Sequence, residues 1–247
     1  MKMKFLLIGL MFLCTILSFT SSIHAQAAFE DGKLTPVDTS KDEKSKQTAK
    51  YAPDNSNYCS AIMITPNVGL TAKHCVGNMS KEGYVGAVYP GQSGTSTPFG
   101  YMNISSYIPD SAEDIAIIKG KDSDKSGDYK HYIQGFKTNL KAFSLEERKK
   151  LIGKKVYSYG YPSDLTGSPQ VKAEGVITNY NPVTRDIDTT MPVSNGQSGA
   201  GVFLEDGNQF IGILTSGYKK NDKDYARVTV IDNRLLNWFN QNILETE

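Results

Sequence analysis

The chain has 247 residues, with 27 Lys and Arg against 26 Asp and Glu, for a formal net charge of +1. That balance gives no reason to expect nucleic acid or an anionic membrane as a partner. At this length, and with 39% hydrophobic residues, the chain buries a sizeable core, as one domain or two fused barrels.

Residues 1–27 read as a secretory signal. Lys2 and Lys4 form a basic start, residues 5–19 are an apolar run too short for a membrane span, and Ala25-Gln26-Ala27 fits a small-x-small cleavage site. The mature, extracellular chain is expected to begin near Ala28, with no membrane association after the signal leaves. Removing Lys2 and Lys4 leaves 25 basic against 26 acidic residues. Residues 28–56 are polar and charged around Lys41-Asp42-Glu43-Lys44 and read as an extended, solvated segment with little core of its own.

From there the chain is a series of short β-type runs broken by Gly, Pro, Asn and Ser. Strands are predicted over 58–64, 69–71, 84–89, 101–107 and 115–119, then a polar stretch over 120–130. Ser144-Leu145-Glu146-Glu147 has capping-box spacing and predicts a short helix to about Leu151. Strands resume over 155–161, 171–180, 187–190, 199–204, 210–216 and 225–231. Asp232 then reads as an N-cap, with Leu235, Leu236, Trp238, Phe239 and Ile243 on the apolar face of a C-terminal helix. The pattern is all-β, a barrel or sandwich with one closing helix. The domain reading is a first barrel over 57–135, and a linker, second barrel and helix over 136–247. There is no internal repeat and no nucleotide-binding glycine loop.

Two motifs carry chemistry. Ser198 sits in Gly196-Gln197-Ser198-Gly199-Ala200-Gly201, and His74 sits in Thr71-Ala72-Lys73-His74-Cys75. A serine hydroxyl needs a base to become a nucleophile near neutral pH. Small residues around Ser198 let the N–H groups of Gly196 and Ser198 converge on an oxyanion. His24 leaves with the signal and His131 lies in Asp128-Tyr129-Lys130-His131, which reads as a loop, so His74 is the candidate base. Cys14 also leaves, so Cys59 and Cys75 remain as one pair, a disulfide by default in an exported protein. No cluster of further ligands accompanies them, so no metal is expected, and a serine–histidine mechanism needs no organic cofactor. A carboxylate behind the histidine completes the set. Asp114, before the apolar run Ile115-Ala116-Ile117-Ile118, is the candidate, and Glu113 is its competitor.

In the order His, Asp, Ser, these residues resemble a chymotrypsin-fold serine protease, and within that class the bacterial glutamyl endopeptidases and the related staphylococcal serine proteases and exfoliative toxins. The resemblance is carried by Leu70-Thr71-Ala72-Lys73-His74-Cys75-Val76, Val88-Tyr89-Pro90-Gly91, Asp114-Ile115-Ala116, Gly160-Tyr161-Pro162, Asp186-Ile187-Asp188-Thr189-Thr190, Gly196-Gln197-Ser198-Gly199 and Asn237-Trp238-Phe239-Asn240-Gln241-Asn242-Ile243. It implies two six-stranded antiparallel β-barrels with the site between them, and a monomer acting on a peptide or protein substrate. It also implies His74 and Asp114 in the first barrel, Ser198 in the second, and Cys59–Cys75 as the histidine-loop disulfide. Thr215-Ser216-Gly217 would pair with the substrate backbone. Glutamate-specific relatives carry a histidine where this chain has Leu214. Met191-Pro192-Val193-Ser194-Asn195 separates Thr189-Thr190 from the nucleophile motif, so Val193 enters the pocket floor. Arg227 aligns with the pocket base, where an aspartate-specific granzyme carries an arginine. It implies a preference for an acidic residue before the scissile bond, and it also fits a surface arginine on an edge strand. Counting back from Cys59, the family's mature N-terminus falls near Ala28, so signal removal alone is expected to produce it.

Two other readings compete. One is a catalytically silent homologue acting as a secreted binding or host-interaction protein. The other is an esterase, which lacks support because Ser198 runs into a β-type segment instead of the helix of a nucleophile elbow.

Overall fold

The computed structural model describes residues 29–54 and 57–244. Residues 1–27, read above as a signal, lie outside the described residues. In chain order the strands are β1 Lys33–Pro36, β2 Thr48–Ala52, β3 Cys59–Met63, β4 Val68–Thr71, β5 Lys81–Glu82, β6 Ala87–Pro90, β7 Met102–Asn103, β8 Ser106–Pro109, β9 Ala116–Lys119, β10 Lys155–Gly160, β11 Val171–Tyr180, β12 Asp186–Thr189, β13 Gly201–Leu204, β14 Phe210–Lys220 and β15 Lys223–Val230. The α-helices are α1 Gly127–Tyr132, α2 Leu145–Lys150 and α3 Asn233–Leu244.

These strands form two antiparallel sheets, each curled on itself. The second has the order β1-β11-β10-β13-β14-β15-β12, and a further β11–β12 pairing closes six of its strands into a barrel with β1 added outside. The first has the order β5-β8-β9-β4-β3-β2-β6-β7. Gly83 N–H to Ser105 O, Val85 N–H to Ile104 O and Ile104 N–H to Gly86 O bridge the gap between the β5–β8 and β6–β7 pairings. β5 with β6, and β7 with β8, therefore act as two interrupted strands, which gives this barrel six as well. Closure leaves no long unpaired edge.

The barrels do not have separate interiors. One apolar cluster runs from Ile62, Leu70 and Ile117 in the first barrel through Tyr157, Phe203 and Ile213 of the second to Leu235 and Phe239 on α3. A second cluster, including Ile177, Ile187, Val202 and Val228, fills the second barrel. Asp232 caps α3 by accepting the Leu235 N–H at 2.9 Å. α2 carries its capping box, with Ser144 N–H to Glu147 Oε2 at 2.8 Å and the reciprocal Glu147 N–H to Ser144 Oγ at 3.2 Å.

Two expectations need correction. The segment before the first barrel is not merely solvated. Its residues 48–52 form β2, with Ala49 and Tyr51 fully buried, and Lys33–Pro36 pairs with Val171–Glu174 of the second barrel. The inward face of β2 is only Ala and Tyr, too sparse a period-2 signal among five residues. Asp128–His131 is also not a loop. It lies in α1, started by Ser126 accepting the Tyr129 N–H. A six-residue helix with one buried anchor, Tyr129, shows no 3.6-residue period.

Candidate active site

The histidine turn follows β4. Residues 73–75 form one 3₁₀ turn, and the Cys59–Cys75 disulfide ties it to β3. Thr71 Oγ1 donates to the Ser60 carbonyl at 2.9 Å. The Tyr107 hydroxyl reaches the Lys73 and Gly77 carbonyls at 2.9 and 2.6 Å. His74 Nδ1 lies 2.7 Å from Asp114 Oδ2, and the His74 backbone N–H donates to Asp114 Oδ1 at 2.9 Å. Both carboxylate oxygens are thus spent on one residue, which fixes the imidazole plane and leaves Nε2 for the cleft. The Asp114 hydrogen bond holds His74 above the ordinary imidazole value, against the opposing effect of burial. Burial pushes Asp114 up, but the His74 ring and backbone hydrogen bonds together outweigh it, and its carboxyl stays below the usual range.

The loop that presents Asp114 is anchored by a residue the sequence did not single out. Asp110 is buried, accepts the Ala112 and Glu113 N–H groups, and takes a two-pronged contact from Arg234 of α3 at 2.8 and 2.9 Å. Glu113 turns the other way, toward Arg185 and Arg234 at 3.4 and 3.7 Å. Of the two candidate acids, Asp114 is the one at the histidine. No local pattern links Asp110 to an arginine so far along the chain.

Ser198 sits on a turn that needs its glycines. Gly196 and Gly199 have φ of +91° and +88°. A Cβ on Gly199 would stand 2.2 Å from the Ser60 carbonyl, and one on Gly196 2.3 Å from the Tyr161 carbonyl. Ser60 of the first barrel holds this loop. Its N–H donates to the Ser198 carbonyl at 2.8 Å, its hydroxyl donates to the Gly196 carbonyl at 2.9 Å, and it accepts the Tyr161 N–H at 3.1 Å. The Asn195 carbonyl is taken by the Ser163 N–H at 2.7 Å. In a trans peptide the next N–H points the opposite way, so the Gly196 N–H faces away from Ser163. Among the described residues neither the Gly196 nor the Ser198 N–H donates to a protein acceptor, and Gln197 separates the two.

His74, Asp114 and Ser198 line one cleft of about 530 Å³, together with Val193, Leu214, Thr215, Ser216 and Gly217. Lys219, Asp224 and Tyr225 also line it. They come from the β14–β15 hairpin, whose turn residues Asn221 and Asp222 have φ of 52° and 60°, as a two-residue hairpin turn demands. The Val193 side chain packs on Gly217, where a Cβ would lie 2.4 Å from Cγ2, and both residues line the cleft. Arg227 does not line this cleft. It pairs across the sheet with Asp188, its Nε lies 3.5 Å from Asp188 Oδ1, and its guanidinium stands 5.5 Å over the Tyr218 ring. Thr190 lines a neighbouring cavity with Asp188 and shares Tyr218 and Tyr225 with the cleft side. Cys59, His74 and Cys75 are the one His/Cys/Asp/Glu cluster among the described residues tight enough to hold an ion, and its sulfurs are joined to each other. No helix among the described residues is long and apolar enough to cross a membrane.

The family pattern described as Trypsin matches residues 38–239. The glutamyl endopeptidase of Bacillus licheniformis is 29% identical over 154 residues, covering 59% of this chain and 45% of that protein. The chain thus spans under half the length of the curated relative it matches. Among solved structures, a Glu endopeptidase in complex with MPD superposes with a TM-score of 0.66 at 20% identity, over 86% of this chain and 97% of that one. The thermostable serine protease AL20 from an extremophilic microorganism gives 0.62 at 15% identity, over 80% and 97%. The protease Anisep of Arthrobacter nicotinovorans gives 0.60 at 19% identity, over 84% and 96%. At these identities the structural likeness speaks for the fold, the two-barrel chymotrypsin-like architecture.

Proposed function

This chain belongs to the trypsin family of serine proteases, and from that premise we propose that it is a secreted endopeptidase working through Ser198, His74 and Asp114. The observation that carries the reading is the 2.7 Å contact of His74 Nδ1 with Asp114, in the cleft that Ser198 shares. His74 Nε2 takes the Ser198 hydroxyl proton as Oγ attacks the scissile carbonyl carbon. Asp114 keeps Nδ1 protonated and offsets the imidazolium charge. The carbonyl oxygen, now an oxyanion, is bound by the Gly196 and Ser198 N–H groups. The tetrahedral species collapses, the C–N bond breaks, and His74 gives its proton to the leaving amine. A water, deprotonated by His74 in turn, attacks the acyl carbon and returns Ser198.

The substrate backbone lies along Thr215–Gly217 as an added strand. The preferred residue before the scissile bond is acidic. This rests on the name of the Bacillus licheniformis relative, a glutamyl endopeptidase, and on two cations near the cleft, Lys219 in its lining and Arg227 beside Tyr218. Both have acidic neighbours, Asp224 at 3.6 Å and Asp188 at 3.5 Å, so a substrate carboxylate competes with an internal one.

The contact of Val193 with Gly217 favours a second reading, a binding protein whose slot is closed. A mixed peptide library read by mass spectrometry, run with a serine-directed phosphonate probe, tests both. Endopeptidase activity gives cuts after Asp or Glu and Ser198 labelling, and Ser198→Ala abolishes both, with kcat reduced by about 10⁵-fold or more. Cuts after other residues keep the protease and discard the acidic preference. A native protein that neither cuts nor labels supports the binding reading.

A further inference from the structure

The β14–β15 hairpin runs on past Gly217, and one of its edges carries no partner strand. β13 pairs with β14 only as far as Ile213, and the last bonds on that edge join Leu214 to Gly199 and Ala200, beside Ser198. From Ser216 to Lys220, β14 is paired on its other side alone, with β15, and every one of these residues except Tyr218 is exposed. The turn decides which main-chain groups point to the open edge. Asn221 and Asp222 both have positive φ, the two-residue turn whose flanking pair, here Lys220 and Lys223, is hydrogen-bonded. Successive antiparallel pairs alternate between bonded and non-bonded. Tyr218 therefore bonds to Tyr225, whereas Gly217 and Lys219 turn their N–H and C=O groups outward. Among the described residues no backbone donor or acceptor meets them there.

The hairpin is braced before any ligand arrives. Tyr218 and Tyr225 stack on one face, with ring centres 5.4 Å apart, and Lys223 Nζ pairs with Asp31 at 2.7 Å. Lys219 and Asp224, opposite each other on the other face, line the cleft with His74, Ser198 and Gly217. An edge already held extended loses little freedom when a chain pairs with it. On this edge the neighbour of Leu214 is the segment that begins at Ser198. A peptide with its scissile carbonyl at Ser198 Oγ takes over as neighbour from Thr215 onward, antiparallel to β14. The first residue before the scissile bond then faces Thr215, the third Gly217 and the fifth Lys219. We propose that the main chain of Lys219 is a subsite for the fifth residue before the scissile bond, exchanging a pair of hydrogen bonds with it. The protein then selects polypeptide segments that are extended over at least five residues on that side of the cut. This rests on the endopeptidase reading and adds a length requirement to it, separate from the side chain that precedes the bond.

The test uses acetylated peptides that share one scissile bond and differ in length or in a single methyl group. Five residues before the bond are expected to exceed four by roughly fivefold in kcat/KM, the size of one added hydrogen bond. N-methylation of the fifth residue removes that gain, because its N–H donates to the Lys219 carbonyl. N-methylation of the fourth residue, whose N–H points away from β14, leaves it. Lys219→Ala keeps the gain, since main-chain groups alone are used, and its loss there would overturn the assignment to the main chain. Equal rates for the two methylated isomers overturn the proposal, while their Ser198-dependent cutting leaves the protease reading intact. If no peptide is cut in a Ser198-dependent way, the protease reading fails on its own. The edge is then read by calorimetric titration of the same isomers into Ser198→Ala. Weaker binding of the isomer methylated at the fifth residue supports the subsite, and equal binding overturns it.

Discussion

Asp114 gives both carboxylate oxygens to His74, one to the ring and one to the backbone. In the proposed mechanism the base must be neutral to accept the Ser198 proton, and Asp114 holds His74 above its ordinary value. Activity therefore falls as pH drops through that raised value. Asp114→Asn removes the cause, so the acid limb of the kcat/KM profile should move to lower pH, while kcat at its plateau falls by about 10³- to 10⁴-fold. An unmoved acid limb would show that His74 does not set it. The same pair bears on stability. The raised His74 contributes fully below its unfolded value, and that contribution is lost as pH rises through the folded one. At this scale the sequence pointed to His74, Asp114 and Ser198 because residue types are few, and the structure brings the three to one cleft. Beyond residue 27 the chain holds two histidines, and the serine of Gly196-Gln197-Ser198-Gly199 is flanked by glycines. Ser60, Asp110 and Arg234 were not legible, because a single serine or ion-pair partner carries no local sign of a contact far along the chain.

Among the elements, α3 does more than close the molecule. Its Arg234 reaches Asp110, whose carboxylate shapes the turn into β9 that carries Asp114. Arg234→Met should lower stability by about 2 kcal/mol, at the low end because Arg234 is 37% exposed. It should also lower kcat more than it raises KM, and an unchanged kcat would separate α3 from the site. The segment between β12 and Ser198 lines the cleft through Val193, Ser194 and Asn195. Val193→Gly removes the side chain that covers Gly217, so the range of residues accepted before the cleaved bond should widen toward larger side chains in a library digest. An unchanged profile would place the selection elsewhere. Strand positions in the barrels followed from alternating apolar residues and turn-forming breaks, and β11 matches its predicted span. β2 and α1 did not, since their buried residues are too few to set a period.

For the whole molecule, the two barrels meet through Ser60 and through a shared apolar cluster, and the disulfide stiffens the junction from the first-barrel side. Replacing Cys59 and Cys75 together by Ser should cost about 3 kcal/mol on the chain-entropy estimate for a loop of 16 residues. It should lower the melting temperature by roughly 6–12 °C for a chain of this size. Residual activity below the new melting point would show that the turn, not the bridge, places His74. The strand β1 has a different consequence. It lies before the first barrel in sequence, yet it lies on the second, where Lys33 faces Glu174. A chain emerging from the ribosome or an export channel N-terminus first presents this strand long before its partner exists. The first barrel can close early, whereas β1 must wait for β11, so its docking is a late event of high contact order. Refolding should then show a slow phase, and a pulse of deuterium during that phase would mark the amides of residues 33–36 as among the last to be protected.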